Sequence, residues 1–183
     1  MGFTVKPLHE EHGALLVRLD RRLRVQERSP SGAKTLGPQS LAVIPAVRVQ
    51  KSANATIATN TLTTLSWDVE VRDTAGMHDN AVTPSRMTAP IAGLYLFEAA
   101  IEWDVIAAGN RQVAALVNGT STSIVRGPAS TGGAEFTIQV LTCTLQFAAG
   151  GFAEVSVWQT SGGNLTILAT SLTYAALTWL GNV

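Results

Sequence analysis

Between Gly93 and Trp103 the chain alternates without a break. Tyr95, Phe97, Ala99, Ile101 and Trp103 hold one parity; Leu94, Leu96, Glu98, Ala100 and Glu102 hold the other. A period of two sends successive side chains to opposite faces of an extended strand, whereas a helix would scatter the rings around its circumference. Leu141, Cys143, Leu145 and Phe147 repeat the pattern in a second run and place Cys143 in a core rather than in a reactive setting. Asn118-Gly119, between Gln112–Val117 and Thr120–Val125, is a tight-hairpin signal. Further strands are predicted at Val47–Lys51, Thr64–Val71, Thr137–Phe147, Glu154–Thr160, Asn164–Ala169 and Thr173–Leu180. Roughly eight short strands with turns at this spacing predict an all-β sandwich or jelly roll over residues 41–183.

Several of these strands carry apolar residues on both faces. Leu94 and Leu96 lie opposite the Tyr95/Phe97 parity, and Trp158 lies opposite Val155 and Val157. Leu177 and Trp179 alternate with Tyr174, Ala176 and Leu180. A sandwich leaves one face of each sheet wet, so large apolar groups on that face need a further cover. Self-association through one sheet fits better than cover by a short N-terminal helix, and Leu94, Leu96, Trp158, Leu177 and Trp179 are the expected interface residues.

The first 40 residues differ from the rest. They carry seven Lys/Arg and four Asp/Glu, a balance of +3, against −3 for the remaining 143, so the net charge of zero is a cancellation. Leu8, His12, Leu15, Leu16, Leu19 and Leu23 recur at offsets of three and four, which predicts an amphipathic helix ending near Arg28. Glu10 and Glu11 lie early and Arg21, Arg22, Arg24 and Arg28 late, as the helix dipole favours. These arginines read as the solvated end of that helix and not as a nucleic-acid surface, because no aromatic or base-reading partners accompany them. The heptads are too few and too polar for a self-sufficient coiled coil, so Leu8, Leu15, Leu16, Leu19 and Leu23 are expected to dock on another protein. Residues 29–40 (SPSGAKTLGPQS) read as a linker. The expected organisation is therefore helix 1–28, linker 29–40 and head 41–183. No run reaches the roughly 18 unbroken apolar residues of a membrane span, and Met1–Glu11 lacks the apolar stretch of a signal peptide.

The head resembles the complement C-one-q globular-head and tumour-necrosis-factor-like trimeric jelly roll, in particular the version found in bacteriophage virion proteins. The carrying segments are 46–79, 85–103, 111–120, 139–162 and 171–181. The most specific are the Pro-x-x-Gly-x-Tyr-x-Phe run Pro90–Phe97, the terminal Tyr174–Leu180, and the loop glycines before Val155-Ser156-Val157. At that loop the family has Gly-Asp where this chain has Gly150-Gly151. The resemblance implies about ten strands, with one sheet from each of three chains packed around a threefold axis. It assigns the strands near 94–102, 154–160 and 173–180 to that inner sheet. It also implies a non-enzymatic homotrimeric structural protein at a virion tail or capsid surface, attached to other virion proteins through the N-terminal helix and contacting a host-surface glycan or protein. A secreted or surface ligand-binding module outside a virus is the alternative, and a glycan hydrolase using Glu98 and Glu102 is a third.

Catalytic motifs are otherwise missing: no Walker loop, dinucleotide fingerprint or HExxH sequence occurs. His78 is the sole histidine of the head and has no nucleophile-elbow serine to serve, so it reads as a polar loop residue. Asp68, Glu70, Asp73 and Asp79 are oxygen donors of the type Ca²⁺ takes, but their spacing matches no defined loop, and ordinary turn carboxylates are the simpler reading. No cofactor is expected.

Overall fold

A computed structural model describes residues 43–105, 108–128 and 135–183. Val43–Val183 form one compact unit. Twelve strands run in chain order: β1 Ala46–Gln50, β2 Ala55–Ile57, β3 Thr63–Thr64, β4 Val69–Asp73, β5 Met87–Thr88, β6 Gly93–Trp103, β7 Asn110–Val117, β8 Thr120–Pro128, β9 Thr137–Phe147, β10 Phe152–Gln159, β11 Leu165–Ile167 and β12 Tyr174–Gly181. One sheet has seven strands in the order β2-β11-β6-β12-β1-β4, with β9 also pairing β6; the other has the order β3-β10-β7-β8, with β5 also pairing β10. All pairings are antiparallel.

The all-β sandwich expectation is met, and the rest of the fold-class expectation is corrected. The described residues contain no helix and twelve strands rather than about ten. The helix predicted to end near Arg28, with its docking leucines, lies outside the described residues. Thr64–Val71 is not one strand: Thr63–Thr64 pairs with β10 in one sheet and Val69–Asp73 with β1 in the other. The crossing is set by Leu65 and Trp67, which are 2% and 0% exposed between the sheets. Trp67 N–H donates to the Pro84 carbonyl at 2.7 Å and Asp68 N–H to the Gln50 carbonyl at 3.2 Å, which replaces the broken ladder. The short strands β2 and β5, three and two residues long, carry too little alternation to be read from sequence.

The core is the inward parity of the long strands. Tyr95, Phe97, Ile101 and Trp103 of β6 meet Val113 of β7 and Val155 and Val157 of β10, all at 0% exposure. The Pro-x-x-Gly-x-Tyr-x-Phe run has a physical reading. The Tyr95 hydroxyl donates to the Ile91 carbonyl at 2.7 Å, and its ring meets Phe147 edge-on at 5.6 Å. Burial pushes the Tyr95 phenol above its ordinary pKa, so it stays a donor. A Cβ on Gly93 would lie 2.4 Å from the Gly181 carbonyl oxygen and 2.5 Å from Trp179 Nε1. Asn118 (φ 50) and Gly119 (φ 81) make the predicted hairpin turn. Asn118 Oδ1 also accepts from Phe152 N–H at 2.9 Å, which ties the turn to the Gly150-Gly151 loop.

Gly93→Ala should destabilise the domain by ~1–3 kcal/mol, because backbone and an indole must both move. Urea titration should show a lowered midpoint at unchanged slope.

Candidate functional site: the outward face of the seven-stranded sheet

Each sheet has an outward face, and the two are finished differently. On the second sheet, β10 points Phe152, Glu154, Ser156 and Trp158 away from the core, and arginines of the same chain cover the aromatic rings. The Arg126 guanidinium lies 4.9 Å from the Trp158 ring centroid and is held by Gln112 Oε1, which accepts from Nε at 2.9 Å and from a terminal nitrogen. Arg86 lies 4.0 Å over Phe152, and its Nε is 3.5 Å from the Glu154 carboxylate, which also accepts from the Ser85 hydroxyl at 2.7 Å. The rings of that face are covered within the chain, while Ile124 of β8, on the same parity as Arg126, is 53% exposed.

On the seven-stranded sheet Arg48 likewise covers Tyr174, 3.8 Å from the ring centroid, but the aliphatic residues have no arginine laid over them among the described residues. Leu94 and Leu96 of β6 are half-buried and point outward. Toward the other end of the β6–β9 pair, opposite Glu102 and Ala100, Ile138 and Val140 of β9 are 46% and 56% exposed. Cross-strand register sets the rows: Ala46–Thr178–Leu96–Thr144, Gln50–Tyr174–Ala100–Val140, and Glu102 opposite Ile138. Small side chains, Ala100 and Ala176, fill the centre, so the surface is shallow. The two half-buried leucines and the two exposed β-branched residues, separated by the Glu98–Thr142 row, give this face the apolar content of an interaction surface.

The expected interface set divides accordingly. Leu94 and Leu96 do lie on this face. Leu177 does not: it is 0% exposed in the core, because Tyr174, Ala176 and Thr178 take the outward parity of β12. Trp179 packs against the same core, with Nε1 beside Gly93. Trp158 belongs to the other sheet, so the grouping of 154–160 with 94–102 and 173–180 is corrected. The error came from taking every apolar residue of minority parity as outward. On β12 the smaller parity faces outward, and only a partner strand's register reveals it. Ile138 and Val140 were missed although the signal was present, since they oppose the parity of Leu141 and Leu145.

The candidate cation ligands are each engaged separately, and no group of three or more His, Cys, Asp or Glu suited to a metal occurs among the described residues. Asp68 accepts from the Ser52 hydroxyl and from Ser52 N–H at 2.8 Å, and the hydroxyl bond leads in lowering its pKa. Asp79 accepts from Val82 and Ala81 N–H, which lower its own. Asp73 is partly desolvated, which raises its pKa, but backbone N–H groups including those of Ala75 and His78 outweigh this and leave it lowered. Glu70 meets His78, whose fully buried ring sets Nδ1 3.1 Å from Glu70 and Nε2 3.1 Å from the Pro84 carbonyl. His78 is a fastener between β4 and the loop before β5. Glu98 and Glu102, the pair a hydrolase would need, are four positions apart on β6, about 13 Å between Cα atoms. The Glu102 carboxylate is occupied by the Thr170 hydroxyl.

No protein-family model and no curated protein matches the sequence. Solved structures do match in fold. Eiger TNF from S. frugiperda superposes with a TM-score of 0.55 at 12% identity, covering 76% of this chain and 94% of that one. Murine APRIL, crystallised at pH 5.0, gives 0.57 at 10% identity, with 75% and 99% covered. The chain has a TNF-like jelly-roll fold. In that jelly roll, β6, β12, β1 and β9 form one continuous sheet whose outer surface is the candidate face.

Asp73→Ala removes the acceptor for the Ala75 and His78 N–H groups and should cost about 1–2 kcal/mol at neutral pH. Because the folded pKa of Asp73 lies below its ordinary 3.8, its contribution is complete above that value and fades as pH falls through the folded one. Denaturation midpoints of the two chains should converge on going from pH 7 into acid below 3.8.

Proposed function

We propose that this chain is a non-enzymatic structural component of a bacteriophage virion, a homotrimer joined through the outward face of the seven-stranded sheet. The observation that carries the trimer is the contrast between the two outward faces. Arginines cover rings on both, Arg86 and Arg126 on one and Arg48 on the other, but the seven-stranded sheet adds Ile138 and Val140, 46% and 56% exposed, and half-buried Leu94 and Leu96, where the other face exposes Ile124. Apolar surface left uncovered on a charge-poor head, 14% charged over the whole chain, is what a buried intersubunit sheet requires. The virion assignment rests on the resemblance of residues 46–181 to phage jelly-roll heads. On this reading the basic segment 1–28 attaches the trimer to an acidic partner in the tail or capsid. The other sheet and its loops point outward, toward a host-surface glycan or protein.

The likeness to Eiger TNF and APRIL favours a second reading, a ligand-like trimeric module outside any virus. Antibody labelling of purified particles separates the two: labelled tails or capsids support the virion, and particles free of the protein refute it.

The face assignment is tested by charge insertion. Leu96→Glu with Val140→Glu should turn the trimer into monomers, since an unpaired charge buried at a contact costs ~3–5 kcal/mol. Trp158→Glu, on the other sheet, should leave a trimer. Light scattering on a sizing column reads both; a trimer that survives the first pair and fails with the second would reverse the assignment of faces.

A further inference from the structure

This face carries aliphatic residues on β6 and β9 and a charged flank at β1 and β4. Arg48 of β1 lies directly opposite Arg72 of the edge strand β4. Like charges in that position destabilise an antiparallel pair. Neither arginine forms an ion pair among the described residues. The Arg48 guanidinium is laid flat over Tyr174, 3.8 Å from the ring centroid, and its Nε is buried with no hydrogen-bond partner. Two like-charged guanidinium groups side by side, with no carboxylate paired to either among the described residues, favour an acceptor from outside the chain.

The acceptor of matching type lies on the same row. Register runs Arg72–Arg48–Ala176–Glu98–Thr142 across β4, β1, β12, β6 and β9. Glu98 is half-buried and forms no ion pair among the described residues. It stands two strands from Arg48, about 9.6 Å, with Ala176 between them. The other carboxylate of this face, Glu102, is 7% exposed and taken by Thr170. The face therefore holds a cationic flank and an anionic position that do not meet within one chain.

A closed ring of three identical subunits is built from heterologous contacts, in which each copy offers one patch to one neighbour and a different patch to the other. We propose that Arg48 and Arg72 of one protomer receive Glu98 of the next copy, so that the three charge clusters set the register of the ring. The inference rests on the trimer reading of the preceding subsection and adds which half of the face meets which. The planar guanidinium, already oriented by Tyr174, suits a carboxylate arriving from a partner. Complementary charge at such a contact fixes orientation while the apolar flank supplies burial.

Charge reversal tests it. Arg48→Glu alone and Glu98→Arg alone should each weaken trimer association at least about tenfold. Arg48→Glu with Glu98→Arg in one chain should restore it, because every contact of the ring is again paired. Mixing the two single variants should not restore it fully, since a ring of three cannot alternate two kinds of subunit. As a second measurement, Arg72→Cys with Glu98→Cys in a Cys143→Ala chain should give covalent trimers on oxidation. A wild-type trimer with no restoration by the double reversal and no cross-linking overturns the charge pairing and leaves the trimer standing. A wild-type monomer overturns both.

Discussion

Strand β6 bonds on one side to β9 along its whole length and on the other to β12 and β11, and its eleven residues separate two environments. Its inward parity, from Tyr95 to Trp103, is at or near zero exposure and anchors the two sheets to each other. Its outward parity carries Leu94, Leu96 and Glu98, each half-buried. A one-residue slip would exchange the two sets, bringing a carboxylate into the core and rings to the surface, so the register of β6 is strongly specified. The close approach of Gly93 to Gly181 and the Tyr95–Ile91 hydrogen bond pin that register at one end. At the other end Gln139 accepts from Trp103 Nε1 at 3.1 Å and donates to the Arg111 carbonyl at 2.8 Å.

The same strand links fold to function. Both sheets must present an outer surface to something, and the physical chemistry of the two surfaces differs. Arginine stems and guanidinium faces cover Trp158 and Phe152 on one sheet and leave Ile124 exposed. The other keeps alanines at its centre, bare β-branched residues on β9 and an unpaired like-charged couple at β1–β4. A solvated surface gains nothing from Arg48 opposite Arg72. A contact surface does, if the missing carboxylate comes from another copy.

The fold was legible wherever alternation was long. β6 and β9, each eleven residues, and the Asn118-Gly119 hairpin stand where the pattern puts them. Short elements were not legible, because two or three residues cannot show a period. The crossing at Leu65–Asp68 was hidden because an apolar run continues smoothly through a change of sheet. The candidate face was half legible: Leu94 and Leu96 follow from β6 alone. Leu177, Trp179 and Trp158 were misplaced because the sequence of one strand shows two parities without saying which faces its own core. Arg48, Arg72 and Glu98 could not be grouped from sequence at all, since they are brought to one row only by pairing between strands distant in the chain.

The most direct test of the account is the mass of the intact wild-type protein by sedimentation equilibrium at physiological salt. Three copies of the 19.3 kDa chain, unchanged on dilution through the micromolar range, is the predicted result. A single 19.3 kDa species would contradict it, because the bare face of the seven-stranded sheet would then be a solvated surface.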